Sequence, residues 1–285
     1  MALTILWGVA FVVVKDALGH GDPFTFLALR FGVGAAVLSA MARRRMFEPS
    51  HLRRGTVLGV FLFAGFAFQT VGLATTTPSR SAFITGLYVL FVPLVLLVLF
   101  RRVPRVSSLL GVVLSAVGLY FLTRPEVGST EGLSRGDGLT LAGAMAYAVH
   151  VVLTERYAPK EGVVALVAVQ LWVVSLGAVL FLPFVEARVA WTPAFVGAVL
   201  FCGVMASAVA IGLQTWAQAR TSAVRAVIIY SLEAVFTAVA SVALGYETLG
   251  VREWVGGSLI VLSVLVSELS AAVWDWRRAR QETQA

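Results

Sequence analysis

The 285-residue chain is 59% hydrophobic and only 13% charged, with a mean hydropathy of +0.90, far from the roughly half-apolar, quarter-charged make-up of soluble domains. Its net charge of +7 and pI near 10.2 come from 22 Lys and Arg in short clusters between apolar runs, which read as topology signals and not as a nucleic-acid surface. The single cysteine, Cys202, excludes an internal disulfide and a thiolate metal cluster.

In chain order, Met1 opens directly on a first apolar run, 1–18, with no basic stretch before it and no A-x-A cleavage site, so it reads as a retained span. At ~27 Å that run falls short of the ~30 Å hydrocarbon layer, which fits a start upstream of Met1. Span 2, 23–42, carries Arg30 about eight residues from one end, ~10–12 Å deep by helical rise. Span 3, 55–74, opens with Gly55-x-x-x-Gly59, a close-approach pattern, and holds Gln69. Span 4, 79–100, contains Tyr88 and Pro93; the proline removes one backbone hydrogen bond and is the hinge candidate. Span 5, 105–123, carries Gly111-x-x-x-Ser115 and is followed by a polar linker, 124–135, with Pro125, Gly128, Ser129 and Gly132. Span 6, 136–156, holds Tyr147 and His150; span 7, 162–184, Gln170 and Trp172; span 8, 193–217, Gln214; and span 9, 222–244, Tyr230 and, midway, Glu233. Span 10, 253–274, leads into a basic tail, 275–285. The runs are about twice the length of barrel strands and do not alternate, so each must satisfy its backbone as a helix.

The chain also copies itself. Shifted by 145 positions, residues 69–120 match 12 of 52 without a gap, where chance at this composition gives roughly four or five. The matches include Gln69-Thr70 on Gln214-Thr215, Thr76 on Thr221 and Arg80 on Arg225, polar coincidences that are costly in an apolar chain. Earlier helices follow at slightly smaller shifts: Phe11 falls on His150 at 139 and Arg30 on Gln170 at 140. Ten spans over two halves is five each, an odd number, so the copies run in opposite directions. The expected fold is an all-α polytopic membrane protein of ten transmembrane helices in two inverted five-helix repeats, 1–123 and 136–274.

With the N-terminus cytoplasmic, inner segments hold Arg43, Arg44, Arg45, Arg53, Arg54, Arg101, Arg102, Arg105, Arg156, Lys160, Arg220, Arg225, Arg277, Arg278 and Arg280, against Lys15, Arg80, Arg124, Arg135, Arg188 and Arg252 outside. That 15-to-6 bias predicts both termini inside. Trp191 and Trp254 then fall near outer ends and Trp216, Trp274 and Trp276 near inner ends, as interfacial rings or as plain packing.

Polar groups in hydrocarbon are costly, so Arg30, Gln69, Tyr88, His150, Gln170, Gln214 and Glu233 are the candidates for substrate binding or gating. Arg30 either lines a cavity, where it can pair with Glu233, or is tied to helix-end carbonyls or snorkels outward; Glu233 either takes that partner or a proton, and is the coupling candidate. His150 equally fits a hydrogen bond to a neighbouring carbonyl, and the glutamines fit interhelical contacts. Tyr147, Trp172 and Tyr230 are candidate aromatic walls. Repeat partners differ at Arg30 against Gln170, Tyr88 against Glu233, and Pro93 against Ala238. No H-E-x-x-H, Walker loop or nucleophile triad spacing is present, so no enzyme, metal or cofactor is expected, and movement depends on gradients.

At these repeats the chain resembles the drug/metabolite transporter superfamily, in particular EamA-type ten-helix transporters. The marks are Leu6-Trp7-Gly8, Pro23 with Leu29-Arg30-Phe31, Ala82 to Tyr88, Leu213 to Gln218, Tyr230 to Phe236 and Gly245-Tyr246-Glu247. Two positions depart: Ala234 stands where the family usually has Pro, which puts a bend there in question, and Arg101-Arg102 stand where many members have Gly-Glu. The resemblance implies a cytoplasmic-membrane exporter or exchanger of small metabolites, amino acids or related organics, with a central cavity between the halves. Its partners are a small-molecule substrate, lipid and, allowably, a second copy in a homodimer. The competing classes are an integral-membrane enzyme acting on lipid-linked groups, which needs clustered acids or histidines at a membrane face, and a non-transport membrane subunit, which needs a stable hetero-complex.

Overall fold

The structure, a computed structural model, describes residues 1–76, 78–123, 134–159, 161–245 and 248–284. Most of the linker, Lys160, Tyr246 and Glu247 lie outside the described residues, as do the side chains of Trp274, Trp276 and the tail arginines.

The helices are α1 (Ala2–Ala17), α2 (Pro23–Ala42), α3 (Pro49–Ala74), α4 (Pro78–Gly86), α5 (Tyr88–Phe100), α6 (Val106–Thr123), α7 (Arg135–Tyr157), α8 (Val163–Phe181), α9 (Pro193–Phe201), α10 (Ala210–Gln218), α11 (Ala223–Tyr230), α12 (Leu232–Ala243) and α13 (Val251–Gln284). A π-helical segment, Cys202–Val209, joins α9 to α10 without a break in the rod. Among the described residues seven helical runs are long and apolar enough to cross a membrane, and the chain is a multi-pass membrane protein.

Their starts follow from local chemistry. Pro at the first helical position gives up no needed N–H, and the side chain before it satisfies the next free donors. Asp22 accepts from Phe24 N and Thr25 N at 3.0 and 2.9 Å ahead of α2, and Thr192 Oγ1 accepts from Phe195 N at 3.1 Å ahead of α9. Ser134 and Asp137 make a reciprocal capping box at α7.

Three features depart from the sequence reading. Span 3 starts earlier, at Pro49, and span 10 continues as helix through the tail to Gln284. Spans 4 and 9 are each interrupted, at Leu87 and Ser231. Leu87 (φ −61, ψ −13) and Ser231 (φ −59, ψ −18) both tighten the helix locally, with Leu90 N bonding Leu87 O at 2.9 Å and Ala234 N bonding Ser231 O at 3.2 Å. Ser231 Oγ also donates to Ile228 O at 2.6 Å. Span 9 is thus interrupted three residues before Ala234 without a proline, while α5 runs on through Pro93. An interruption in both halves, only one of which has the proline, is not caused by that proline.

The principal contacts join the first 123 residues to the rest: α2 with α8, α3 with α7 and α8, α6 with α13, and α1 with α12. Glycines set the closest approaches. A Cβ on Gly55 would sit 2.7 Å from Val169 Cβ, and one on Gly59 2.6 Å from Val173 Cβ, so the four-residue spacing on α3 meets the same spacing on α8. Gly34 of α2 likewise lies against the Gly203 carbonyl of the π segment.

Candidate functional site

Where these helices converge lies a cavity. Six of the seven sequence candidates face it: Arg30 from α2, Gln69 from α3, Tyr88 from α5, His150 from α7, Gln214 from α10 and Glu233 from α12. Gln170 does not. It is buried behind His150, whose Nε2 proton it accepts on Oε1 at 2.9 Å. His150 therefore has a bonded partner and a cavity face at once.

Arg30 is 3% exposed and turned inward, so it does not snorkel. The Gly34–Gly203 approach brings the α2 backbone onto the π segment, and Arg30 Nε donates to Ser207 Oγ of that segment at 2.9 Å. The rings of Phe31 and Phe66 lie 5.0 and 4.9 Å from its Cζ, a cation–π clamp of about 2 kcal/mol in a desolvated setting. The Arg30–Glu233 pair, one of the alternatives for both residues, is absent: no carboxylate oxygen of Glu233 lies within 4.0 Å of the guanidinium. The reason is geometric, because Ser207 and the two rings fix the guanidinium on the α2 side while Glu233 projects from α12. Among the described residues neither the terminal nitrogens of Arg30 nor the Glu233 carboxylate makes a hydrogen bond in the protein. The cavity thus carries one open cationic fork and one open carboxylate.

Aromatic groups supply the walls. Gly8 packs against the Phe236 backbone, which sets α1 on α12 and places Trp7 edge-on to Tyr230, centroids 5.7 Å apart at 81°. Trp7 Nε1 donates to Ala206 O at 3.0 Å, again in the π segment. Tyr147 OH donates to Gln69 Oε1 at 3.1 Å, and Gln69 Nε2 donates to Thr85 Oγ1 at 2.9 Å. Trp172, expected as a wall, instead donates Nε1 to Ser39 Oγ at 3.0 Å between α8 and α2, away from the cavity.

Sequence reasoning missed Trp7, Phe66, Thr70, Thr85 and Ser207. Three carried a signal: Trp7 in the Leu6-Trp7-Gly8 mark, Thr85 in the Ala82 to Tyr88 mark and Thr70 in its repeat match to Thr215. The others are ordinary apolar or hydroxyl residues whose position depends on which helices cross. Among the described residues no group of His, Cys, Asp and Glu is placed to hold a metal.

Known proteins fit this architecture. A solved structure covering 95% of this chain and 96% of its own matches with a TM-score of 0.78 at 21% identity, which speaks to the fold. An uncharacterized transporter of Archaeoglobus fulgidus is 30% identical over 94% of this chain and 83% of its own length. The uncharacterized transporter YyaM of Bacillus subtilis is 27% identical over 94% and 91%. A probable amino-acid metabolite efflux pump of Salmonella typhimurium is 27% identical over 59% and 56%. The EamA-like transporter family model matches residues 1–124 and 134–269, nearly the whole chain. The chain accordingly belongs to the EamA-like transporter family, within the drug/metabolite transporter superfamily, and is a transporter and not an enzyme.

Proposed function

We propose that this protein is a secondary transporter that exports or exchanges small metabolites bearing both an anionic and a cationic group, amino acids or related organics, across the cytoplasmic membrane. The carrying observation is that Arg30 and Glu233 face one cavity with their charged ends unpartnered in the protein. A lone buried charge is costly, and a zwitterion between the two offsets both costs. In this reading Arg30 holds the carboxylate of the cargo, Glu233 its ammonium, and Tyr88, Tyr147, Tyr230 and Trp7 shape the rest. The amino-acid name of the Salmonella relative is in keeping with that chemistry.

The mechanism is alternating access by ten spans in two inverted repeats, 1–123 and 136–274, with both termini cytoplasmic as the charge bias favours. Reciprocal contacts support the two-fold relation. The α1–α12 contact has its counterpart in α7 with α4 and α5, and the contact of α3 with α8 has its counterpart in α2 with the π segment. The interruptions at Leu87 and Ser231 fall almost one repeat apart and serve as bending points, with Pro93 beside the first.

Efflux from cells or loaded vesicles tests the site. Glu233→Gln and Arg30→Ala each remove one charge-assisted contact, about 1.5–3 kcal/mol, so transport falls about tenfold to a hundredfold. Normal transport by correctly inserted variants refutes the site. Glu233 is also the proton-coupling candidate, and transport indifferent to collapse of the pH gradient refutes that role.

A further inference from the structure

We infer that Gln218 and Glu155 form a latch closing the cavity at the end that carries the loop 219–222, and that its release opens the cavity on that face. The inference rests on alternating access as proposed above. It concerns residues outside the cargo-binding set.

The cavity is offset along the helices. Its lining reaches Val14 and Leu73, in the last turns of α1 and α3, but at the opposite end it stops at Val151 and Gln214. Beyond Gln214 lies a hydrogen-bonded plug. Gln214 Nε2 donates to Gln218 Oε1 at 3.1 Å, and Gln218 Nε2 donates to the Val151 carbonyl of α7 at 2.9 Å. Both glutamines are buried, Gln218 at 1% exposure. One turn further along α7, Glu155 Oε2 accepts the Ala223 N–H at 2.8 Å, a donor in the first turn of α11 that has no partner within its own helix. A carboxylate there also meets the positive end of that helix. Two bonds therefore tie α7 to α10 and α11 between the cavity floor and the loop 219–222, and the third, within α10, holds Gln218 in place for the first of them.

Repeat partners show that the latch belongs to one end. Leu73 stands opposite Gln218 and has no group to bond across. Glu155 corresponds to Asp16 at the α1–α7 shift of 139, and Ala223 corresponds to Pro78, which has no N–H to give. Asp16 is exposed, and its carboxylate has no hydrogen bond among the described residues. The opposite end is held by other means, Lys15 Nζ donating to the Leu73 and Ala74 carbonyls at 3.0 and 3.1 Å. The two ends thus carry different cross-helix bonds, so one can be loosened without the other.

The test uses the full chain in liposomes, without substrate, in a Cys202→Ala background carrying Ile211→Cys as a reporter one turn deeper than Gln214. A membrane-impermeant maleimide is applied on the face of the loop 219–222. Glu155→Leu with Gln218→Leu should raise the labelling rate about tenfold, whereas Glu155→Gln, whose amide oxygen still accepts from Ala223, stays within about twofold of the parent. Unchanged labelling in the double variant, or equal labelling in Glu155→Gln and Glu155→Leu, overturns the latch. Should the double variant not fold, Val151→Cys with Gln218→Cys bridged by a short reductant-cleavable reagent gives a second readout. Transport should stop with the bridge and return on its cleavage, and transport that continues through the bridge also overturns the latch. Because labelling needs no cargo, it reads the latch even if Arg30 and Glu233 prove not to bind the substrate.

Discussion

Two glycines in helix interiors are expected to answer the same substitution with opposite signs. Gly212 of α10 has no atom within 4 Å of where a Cβ would lie, so Gly212→Ala adds only the helix-propensity gain, up to about 1 kcal/mol. At Gly59 the new Cβ would lie 2.6 Å from Val173 Cβ, 3.0 Å from its Cγ1 and 3.1 Å from the Gln170 carbonyl oxygen. Packed carbons sit about 3.5–4.0 Å apart, so α3 and α8 must separate by about 1 Å. The nearest atom is a Cβ fixed to backbone, and no rotamer change relieves it. Overpacking costs about 1–3 kcal/mol, and a clash with a fixed Cβ falls in the upper half of that range, about 2–3, so after the propensity gain Gly59→Ala is destabilised by about 1–2 kcal/mol. Thermal unfolding of the detergent-purified protein, followed by loss of the monodisperse peak, should place the two variants on either side of the parent by roughly 2–4 °C per kcal/mol. A second substitution makes the test sharper. Val173→Ala keeps the clashing Cβ and should not rescue Gly59→Ala, while Val173→Gly removes both nearest atoms and should recover most of the coupling in a double-mutant cycle. Equal rescue by the two, or a neutral Gly59→Ala, refutes the claim that these glycines set the distance between α3 and α8.

Two further outcomes concern the helix ends. Asp137 is fully buried at the start of α7 and takes both Nε and the NH2 group of Arg80, at 2.9 and 2.6 Å. Arg80→Met leaves that carboxylate with only the Ser134 contacts. Because the arginine is about one-third exposed, the loss is nearer 2 kcal/mol than the 3–5 of a fully buried pair, with Arg80→Lys losing about half as much in the same melting assay. Arg101 ends α5 at φ 52, the left-handed cap conformation that glycine adopts without strain and that Gly245 takes beyond α12. Arg101→Gly should therefore stabilise by about 0.5–1 kcal/mol, and a lower melting temperature contradicts the strain at this cap.

The rods were legible because their signals are local. Asp22-Pro23, Thr192-Pro193 and Ser134 with Asp137 carry their own caps, and apolar length is a property of each run. Six candidate residues reached the cavity on one argument, the cost of a polar group in hydrocarbon. Partners were not legible. Which group Arg30 meets depends on the Gly34–Gly203 approach, a tertiary fact, and the π segment that offers Ser207 is written in Cys, Gly, Val, Met and Ala with no proline among them. The interruption at Ser231 is similar: its serine back-bonds to Ile228 while lying 3.2 Å from Ser115 Oγ of α6, so local and tertiary contacts act together. Arg101-Arg102 stand out in the sequence only as a departure from the family's usual Gly-Glu, yet the first of the pair occupies a backbone conformation that sequence does not display.

The repeat itself separates frame from chemistry more strictly than residue identity does. Gln69 and Gln214 are the same residue at equivalent positions, and a shared structural part would bond alike in both halves. They do not: Gln69 spans Tyr147 and Thr85, while Gln214 turns along its own helix to Gln218. The equivalent of Thr85 is Tyr230, that of Gln218 is Leu73, and so each glutamine is used by a different set of neighbours. Both open charges come from loci where the halves differ, Arg30 against Gln170 and Glu233 against Tyr88. A symmetric pair of halves can rock with matched contacts, but a symmetric lining would offer two arginines or two carboxylates and repel a zwitterion from one side of the site. In the proposed transport of a zwitterion, divergence at these loci is what lets two repeated halves orient a cargo that has two unlike ends.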